Sequence, residues 1–342
     1  MSVETTTSVR TSFGGVAAAA KLMLIRMGVL PFFLVAAFVV FTLASAQFLT
    51  AQNIVNVARQ SVYLVLVSLG QMIVLLTGGF DLAVGTTIAL TSVVSAMIMI
   101  SVMGAVPGSV GLIIAAGCLG AMAVALLIGL INGVGVAVFG VSPFIMTLGV
   151  QSVGAGVALF LTGGVPVTGF PHAFGDTFGF GRVFGVPVTV AIAIVAIAVV
   201  AIFLYGSRFG RHLYAVGGNV KAAKLSGINT TATLLIAYAA SALLASIDGL
   251  LLTARVESGE ANLGGTIALQ SIAACVIGGV SLRGGIGRVE GVVLGAFFIV
   301  LIQNGMDLMQ IGSYMQMVLL GVLLILAVIV DQFRYRLLIG AN

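Results

Sequence analysis

Residues 62–100 read VYLVLVSLGQMIVLLTGGFDLAVGTTIALTSVVSAMIMI. Two apolar runs flank a short glycine-bounded stretch, GGFDLAVG (78–85), which carries one acid, Asp81. A helix needs about 20 apolar residues to cross the hydrocarbon layer, and both runs approach that length. A charge at the bilayer centre costs at least about 2.5–3.5 kcal/mol. Asp81 is therefore either a functional acid inside lipid or a residue at a corner that water can reach.

The whole chain repeats this character. It has 342 residues, 61% of them hydrophobic and 7% charged, with a mean hydropathy of +1.28. Soluble domains are about 25% charged, so the chain is a membrane protein. The 46 glycines fit helices that pack closely in lipid. A net charge of +5 is no nucleic-acid signal, because the Lys and Arg residues fall mainly in short connections, as membrane topology requires. Cys118 and Cys275 both sit in apolar runs, which argues against a disulfide framework. Two His and two Cys give no cluster of metal-ligand spacing.

About ten spans are expected, near 29–46, 60–77, 84–103, 110–131, 143–162, 187–205, 231–253, 266–280, 290–306 and 313–330. The eighth is short and reads as a half-helix or a broken one. Ala44-Ser45-Ala46 mimics a signal-peptidase site, but the apolar run before it reads better as the first span. Arg10, Lys21 and Arg26 precede that span. Arg208, Arg211, Lys221 and Lys224 crowd the connection after the sixth, Arg283 and Arg288 follow the eighth, and Arg334 and Arg336 follow the last. With ten spans and a cytoplasmic N-terminus, all four groups fall in the cytoplasm, as the positive-inside rule demands. The expected organisation is a cytoplasmic segment 1–26, a permease domain 27–330 and a cytoplasmic tail 331–342.

On this count GGFDLAVG becomes a cytoplasmic-side turn. Gly78 and Gly79 supply turn geometry, Asp81 caps the first turn of the third span, and Gly85 follows. The frame GGxxLxxG recurs at 278–285, with Gly278, Gly279 and Arg283, again where a span reaches the cytoplasm. An internal inverted repeat, pairing spans two to five with seven to ten, is a live alternative. The echo itself joins ends of the same direction and supports it only weakly. Gly129 with Gly133, and Gly287, Gly291 and Gly295, are small-residue packing stripes.

Chemistry of an enzyme is missing from the sequence. There is no phosphate-binding loop, no HExxH and no nucleophile elbow. Asp248 lies plainly inside the seventh span, as a proton-coupling acid or as a structural hydrogen-bond partner. Uncharged polar groups punctuate the spans: Asn56, Gln71, Asn132, Thr147, Gln151, Gln303 and Asn304. Each alone can glue helices together; together they suit a path for a neutral, hydroxyl-rich solute better than one for an ion.

Residues 206–230, GSRFGRHLYAVGGNVKAAKLSGINT, form the most polar connection. Gly217-Gly218-Asn219 leads into a short helix over AAKL, and Gly227 ends it. Such a helix is either a docking element or a basic loop held by headgroups.

These stretches resemble, in order, four marker segments of the permease subunits of binding-protein-dependent ABC importers of the ribose and simple-sugar class (carbohydrate uptake class 2). GGFDLAVG resembles that family's GGIDLSVG. Residues 129–149, GLINGVGVAVFGVSPFIMTLG, resemble its GLxNGxxVxxxxxPPFIxTLG segment. GGNVKAAKLSGI (217–228) resembles its coupling segment, and SIAACVIGGVSLRGGIG (271–287) its AIAAVVLGGTSLxGGxG segment. Lys221 stands where an acid is usual, and Ser142 replaces the first proline.

The resemblance implies an all-α polytopic permease of the bacterial inner membrane, working as a homodimer. Cytoplasmic ATPase subunits would dock on Gly218, Asn219, Lys221, Ala222, Ala223, Lys224 and Gly227. A periplasmic sugar-binding protein would meet the outer face, for which charge alone points to Arg59, Arg182 and Arg255. This chain would bind no cofactor; ATP and magnesium would sit on the partner. Nucleosides or another small polar solute remain open as cargo, and so does a proton-coupled carrier using Asp248 or Asp81.

Overall fold

The computed structural model describes residues 30–322 together with 325, 326 and 329. The expected cytoplasmic segment 1–26 and tail 331–342 lie outside the described residues. The helices are α1 (Leu30–Ala44), α2 (Ala51–Leu76), α3 (Val84–Ala105), α4 (Val110–Ala137), α5 (Pro143–Thr162), α6 (Val188–Ala201, prolonged by a π turn to Gly206), α7 (Arg208–Gly218), α8 (Val220–Leu225), α9 (Thr230–Val256), α10 (Ile267–Ile277) and α11 (Val289–Leu308), then α12 (Ser313–Val322). Seven are long and apolar enough to cross a membrane, and α1, α10 and α12 are shorter apolar helices. All ten expected spans thus coincide with helices, and α10 is the expected short one. Among the described residues, the only paired strands form a hairpin, Arg182–Val183 against Val186–Pro187.

One correction concerns the polar connection. Residues 208–218 form the amphipathic helix α7 rather than a loop, so Gly217 and Gly218 end a helix instead of making a turn. Leu213 and Val216 supply its buried apolar side. A basic, glycine-containing stretch hides this short period from sequence reading.

Helices α2 and α9 are the axis of the bundle. They pack on each other, and α9 also packs on α3 and α4. Leucine, valine and alanine fill the interface, and small residues let backbones approach. Gly129 and Gly133 of α4 lie against Tyr238, Ala242 and Leu235 of α9, while Gly291 and Gly295 of α11 lie against Gly278 and Ala274. Both stripes thus pack helices of the same chain. The outer helices expose apolar side chains such as Leu119, Val153, Phe160 and Val195, the surface that lipid tails would cover.

A buried amide pair fastens α11 to α2. Asn53 Nδ2 donates to Asn304 Oδ1, and Asn304 Nδ2 donates to Asn53 Oδ1, both at 2.9 Å. Asn304→Leu strands the Asn53 Oδ1, while Asn53 Nδ2 keeps the Phe48 carbonyl at 2.9 Å; we expect a loss of about 0.6–2 kcal/mol, read as a lower melting temperature in detergent. The double substitution Asn53→Leu/Asn304→Leu recovers part of it, because removing both partners is cheaper than orphaning one.

Candidate functional site

Two non-helical segments re-enter the bundle, and the site is built around them. The first is 77–83. α2 ends at Leu76, and the chain then doubles back along the helix it has just left: Gly79 lies against Val74 and Tyr238, and Asp81 comes level with Gln71. With its amide turned to match donors to acceptors, Gln71 donates to the Asp81 carbonyl at 2.9 Å and accepts the Asp81 N–H at 3.3 Å. Tyr238 Oη donates to the Phe80 carbonyl at 3.1 Å, and Ser241 Oγ donates to Asp81 Oδ2 at 2.8 Å. Ala83 N–H donates to Asp81 Oδ1 at 3.1 Å, Leu82 N–H to Thr147 Oγ1 at 3.1 Å, and Thr86 N–H to Gln151 Oε1 at 3.0 Å. Side chains of three helices thus replace the backbone ladder that this segment lacks, as buried peptide groups require.

Asp81 is therefore not a wet corner. It is 2% exposed. It also does not cap a surface helix end: α3 begins beside Val67 and Ala245. Val67 lies nine residues back from Leu76, about 13 Å along a helix, so α3 starts close to the middle of a ~30 Å hydrocarbon layer.

The second segment is 257–266. After α9 the chain turns at Glu257, pairs Gly259 with Val167, and donates Glu260 N–H to Ser92 Oγ at 3.0 Å. It then descends along α3 until Gly264 meets Gly85. A methyl on Gly85 would sit 2.6 Å from the Gly264 carbonyl oxygen, and one on Gly264 would sit 2.8 Å from the Gly85 oxygen. There α10 starts. α3 runs parallel to α9, with Ile88 and Thr91 beside Gly249 and Ser92 bonded to Thr253. α10 runs the opposite way. The two helices begin at one point and diverge.

α10 returns to the end of the bundle that carries α7 and α8, the basic end. There the two GGxxLxxG stretches meet. Gly78, Gly284 and Gly285 take left-handed φ angles of 80°, 88° and 73°, open chiefly to glycine. Gly285 N–H donates to the Leu76 carbonyl at 2.9 Å, and Gly284 packs on Gly78. The echo in the sequence is a docked pair of turns. Gly217 of α7 wedges onto the same spot, against Leu76 and Gly285. Tyr214 Oη donates to the Gly287 carbonyl at 2.9 Å; burial pushes its phenol up to about 12, so it stays a donor. Tyr205 Oη donates to Glu290 and accepts from Val289 N–H, at 3.0 and 2.9 Å.

From this platform α8 projects. Asn219 Oδ1 caps it by accepting the Ala222 N–H at 3.0 Å, and Gly227 ends it with φ 81°. Ala223 is buried, while Val220, Lys221, Lys224 and Leu225 are exposed, Leu225 at 90%.

The polar groups singled out from the sequence scatter. Gln71, Thr147 and Gln151 converge on the first re-entrant segment, and Asn304 pairs with Asn53. Asn132 is buried with an unpartnered Oδ1; Asn56 and Gln303 are half-buried. Arg182 is exposed on the hairpin, whose tip bears the fully exposed Phe184. Tyr238 and Ser241, which hold the segment from α9, gave no sequence signal beyond being polar residues in a span. Both cysteines are free.

Residues 53–328 match the family described as branched-chain amino acid transport system / permease component. The ribose import permease RbsC of Escherichia coli is 39% identical over 291 residues, covering 84% of this chain and 88% of its own. A probable ABC transporter permease of Sinorhizobium fredii, y4mJ, is 40% identical over 283 residues, 82% and 81% of the two chains. The galactose/methyl galactoside import permease MglC of Salmonella typhimurium is 36% identical over 298 residues, 84% and 88%. No solved structure matches the chain. With its long apolar helices, it is a multi-pass protein of the bacterial inner membrane. The chain therefore belongs to the family of permease components of ABC importers, and its sugar-importing relatives are similar to it over most of their length.

Proposed function

We propose that this chain is the membrane subunit of an ABC importer that brings a sugar, or a solute equally rich in hydroxyls, into the cytoplasm. The carrying observation is the mechanical link at the basic end. An exposed, capped docking helix, α8, stands on a base in which Gly217 touches both the end of α2 and the turn that follows α10. Movement of a bound ATPase would reach both re-entrant segments through that base. The positive-inside rule places this end in the cytoplasm, since Arg208, Arg211, Lys221, Lys224, Arg283 and Arg288 all belong to it.

ATP and its magnesium ion would be held by the partner ATPase, whose closure drives alternating access. Two copies of this chain would face each other around the path. A periplasmic binding protein would deliver the sugar to the opposite end, where Arg182 and Phe184 project. The pair α2–α3, with its re-entrant turn, and the pair α9–α10 run in opposite senses, which fits an inverted repeat. The ribose and galactose relatives support a sugar as cargo.

The test uses the chain purified with an ATPase and a binding protein of the ribose-import class, in proteoliposomes. Ribose or galactose uptake is expected to require ATP, and deletion of 219–227 to abolish co-purification of the ATPase. Uptake that persists without the ATPase and follows a pH gradient would overturn the proposal in favour of a proton-coupled carrier.

A further inference from the structure

The half of the α2–α9 interface away from the basic end holds groups that the described residues leave unsatisfied. Asp248 of α9 is fully buried, and neither carboxyl oxygen has a hydrogen-bond partner. The structural hydrogen bond expected from the sequence is absent among the described residues. Arg59 Nε of α2 is also buried and unpartnered. Tyr63 lies one turn from Arg59 on the same face, within electrostatic reach of Asp248, Arg59 and Arg255. Arg255 sits two turns beyond Asp248 on α9, its guanidinium 4.8 Å from the Phe180 ring centre. The antiparallel register explains the gathering. Gly70 lies against Ser241 and Val67 clusters with Ala245, so the next turn brings Tyr63 to Asp248 and the one after brings Arg59 toward Arg255.

An unpartnered buried carboxylate is expensive, and so is an unmatched guanidinium N–H. A neutral solute with adjacent hydroxyls answers both, donating to the carboxylate and accepting from Arg59 and Tyr63. Arg59, Tyr63 and Arg255 are only half-buried, so the cluster is open on one side.

We infer that Asp248, Arg59 and Tyr63, with Arg255 at the rim, form a hydroxyl-binding subsite for a neutral polyol on its way through the bundle. The inference rests on the transport reading above and deepens it. It also reassigns Arg59 and Arg255 from docking of a binding protein to handling of the solute.

The test measures competition between labelled ribose and unlabelled ribose, galactose or leucine for uptake into proteoliposomes holding the full complex. Asp248→Asn and Arg59→Gln are each expected to raise the half-inhibiting sugar concentration at least tenfold. Should Asp248→Asn fail to assemble, Arg59→Gln and Tyr63→Phe, on the half-buried side, carry the test. Sugar competition within twofold of wild type in the assembled variants overturns the subsite. So does a wild-type protein in which leucine outcompetes both sugars, which would mark a zwitterion site. Uptake that ignores ATP defeats the importer reading instead, while a tenfold shift in competition would still support the subsite.

Discussion

Replacing Gly217 by alanine should cut ATP-driven uptake at least about tenfold, while the same change one residue later, Gly218→Ala, should leave it near wild type. A methyl at Gly217 has nowhere to go: it would overlap the Leu76 carbonyl and the Gly285 amide, the pair joined by a 2.9 Å hydrogen bond. Forcing extra volume into packed backbone costs about 1–3 kcal/mol, and here the cost falls on the joint between α7, α2 and the turn after α10. A methyl at Gly218 meets nothing within 4 Å, and alanine is the better helix former by about 1 kcal/mol. Uptake per ATP hydrolysed, measured beside co-purification of the ATPase, separates loss of coupling from loss of docking. Equal effects from the two substitutions would refute the joint.

Asp81 gives the second large effect. Asp81→Ala removes the acceptor for both the Ala83 N–H and the Ser241 hydroxyl, two buried donors, at about 1–3 kcal/mol for each group left unsatisfied. Asp81→Asn keeps an acceptor for Ala83 and can reorient its amide toward the Ser241 oxygen, and it carries no charge to desolvate. The alanine variant should therefore unfold at a clearly lower temperature in detergent, with the asparagine variant at or above wild type. If asparagine were as damaging as alanine, the negative charge itself would be at work in gating.

Helix count, span limits and the short capped helix α8 were legible because apolar length, glycine punctuation and an asparagine cap are local signals. The depth of GGFDLAVG was not. Counting spans treats each connection as lying at the membrane surface, whereas 77–83 bends back along α2 and is satisfied by Gln71, Tyr238, Ser241, Thr147 and Gln151, residues up to 160 positions away. No local pattern encodes such partners. The same limit hid the meaning of the repeated GGxxLxxG frame, which joins two turns in space, and it hid that Gln71, Thr147 and Gln151 brace one backbone segment. Arg59 and Asp248 were each visible, Tyr63 was not, and only the antiparallel register of α2 and α9 sets Tyr63 beside Asp248.

The meeting of Gly85 and Gly264 has an electrical consequence. α3 and α10 start side by side and diverge, so their amino-terminal ends, each equivalent to roughly half a positive charge, are held together near the middle of the bilayer. Hydrocarbon screens them poorly. Asp81, whose carboxylate accepts the Ala83 N–H at the start of α3, lies beside these two ends, so the positive ends and the acid offset one another. Two glycines and two helix ends thus let a buried acid sit deep in the bundle with its charge answered.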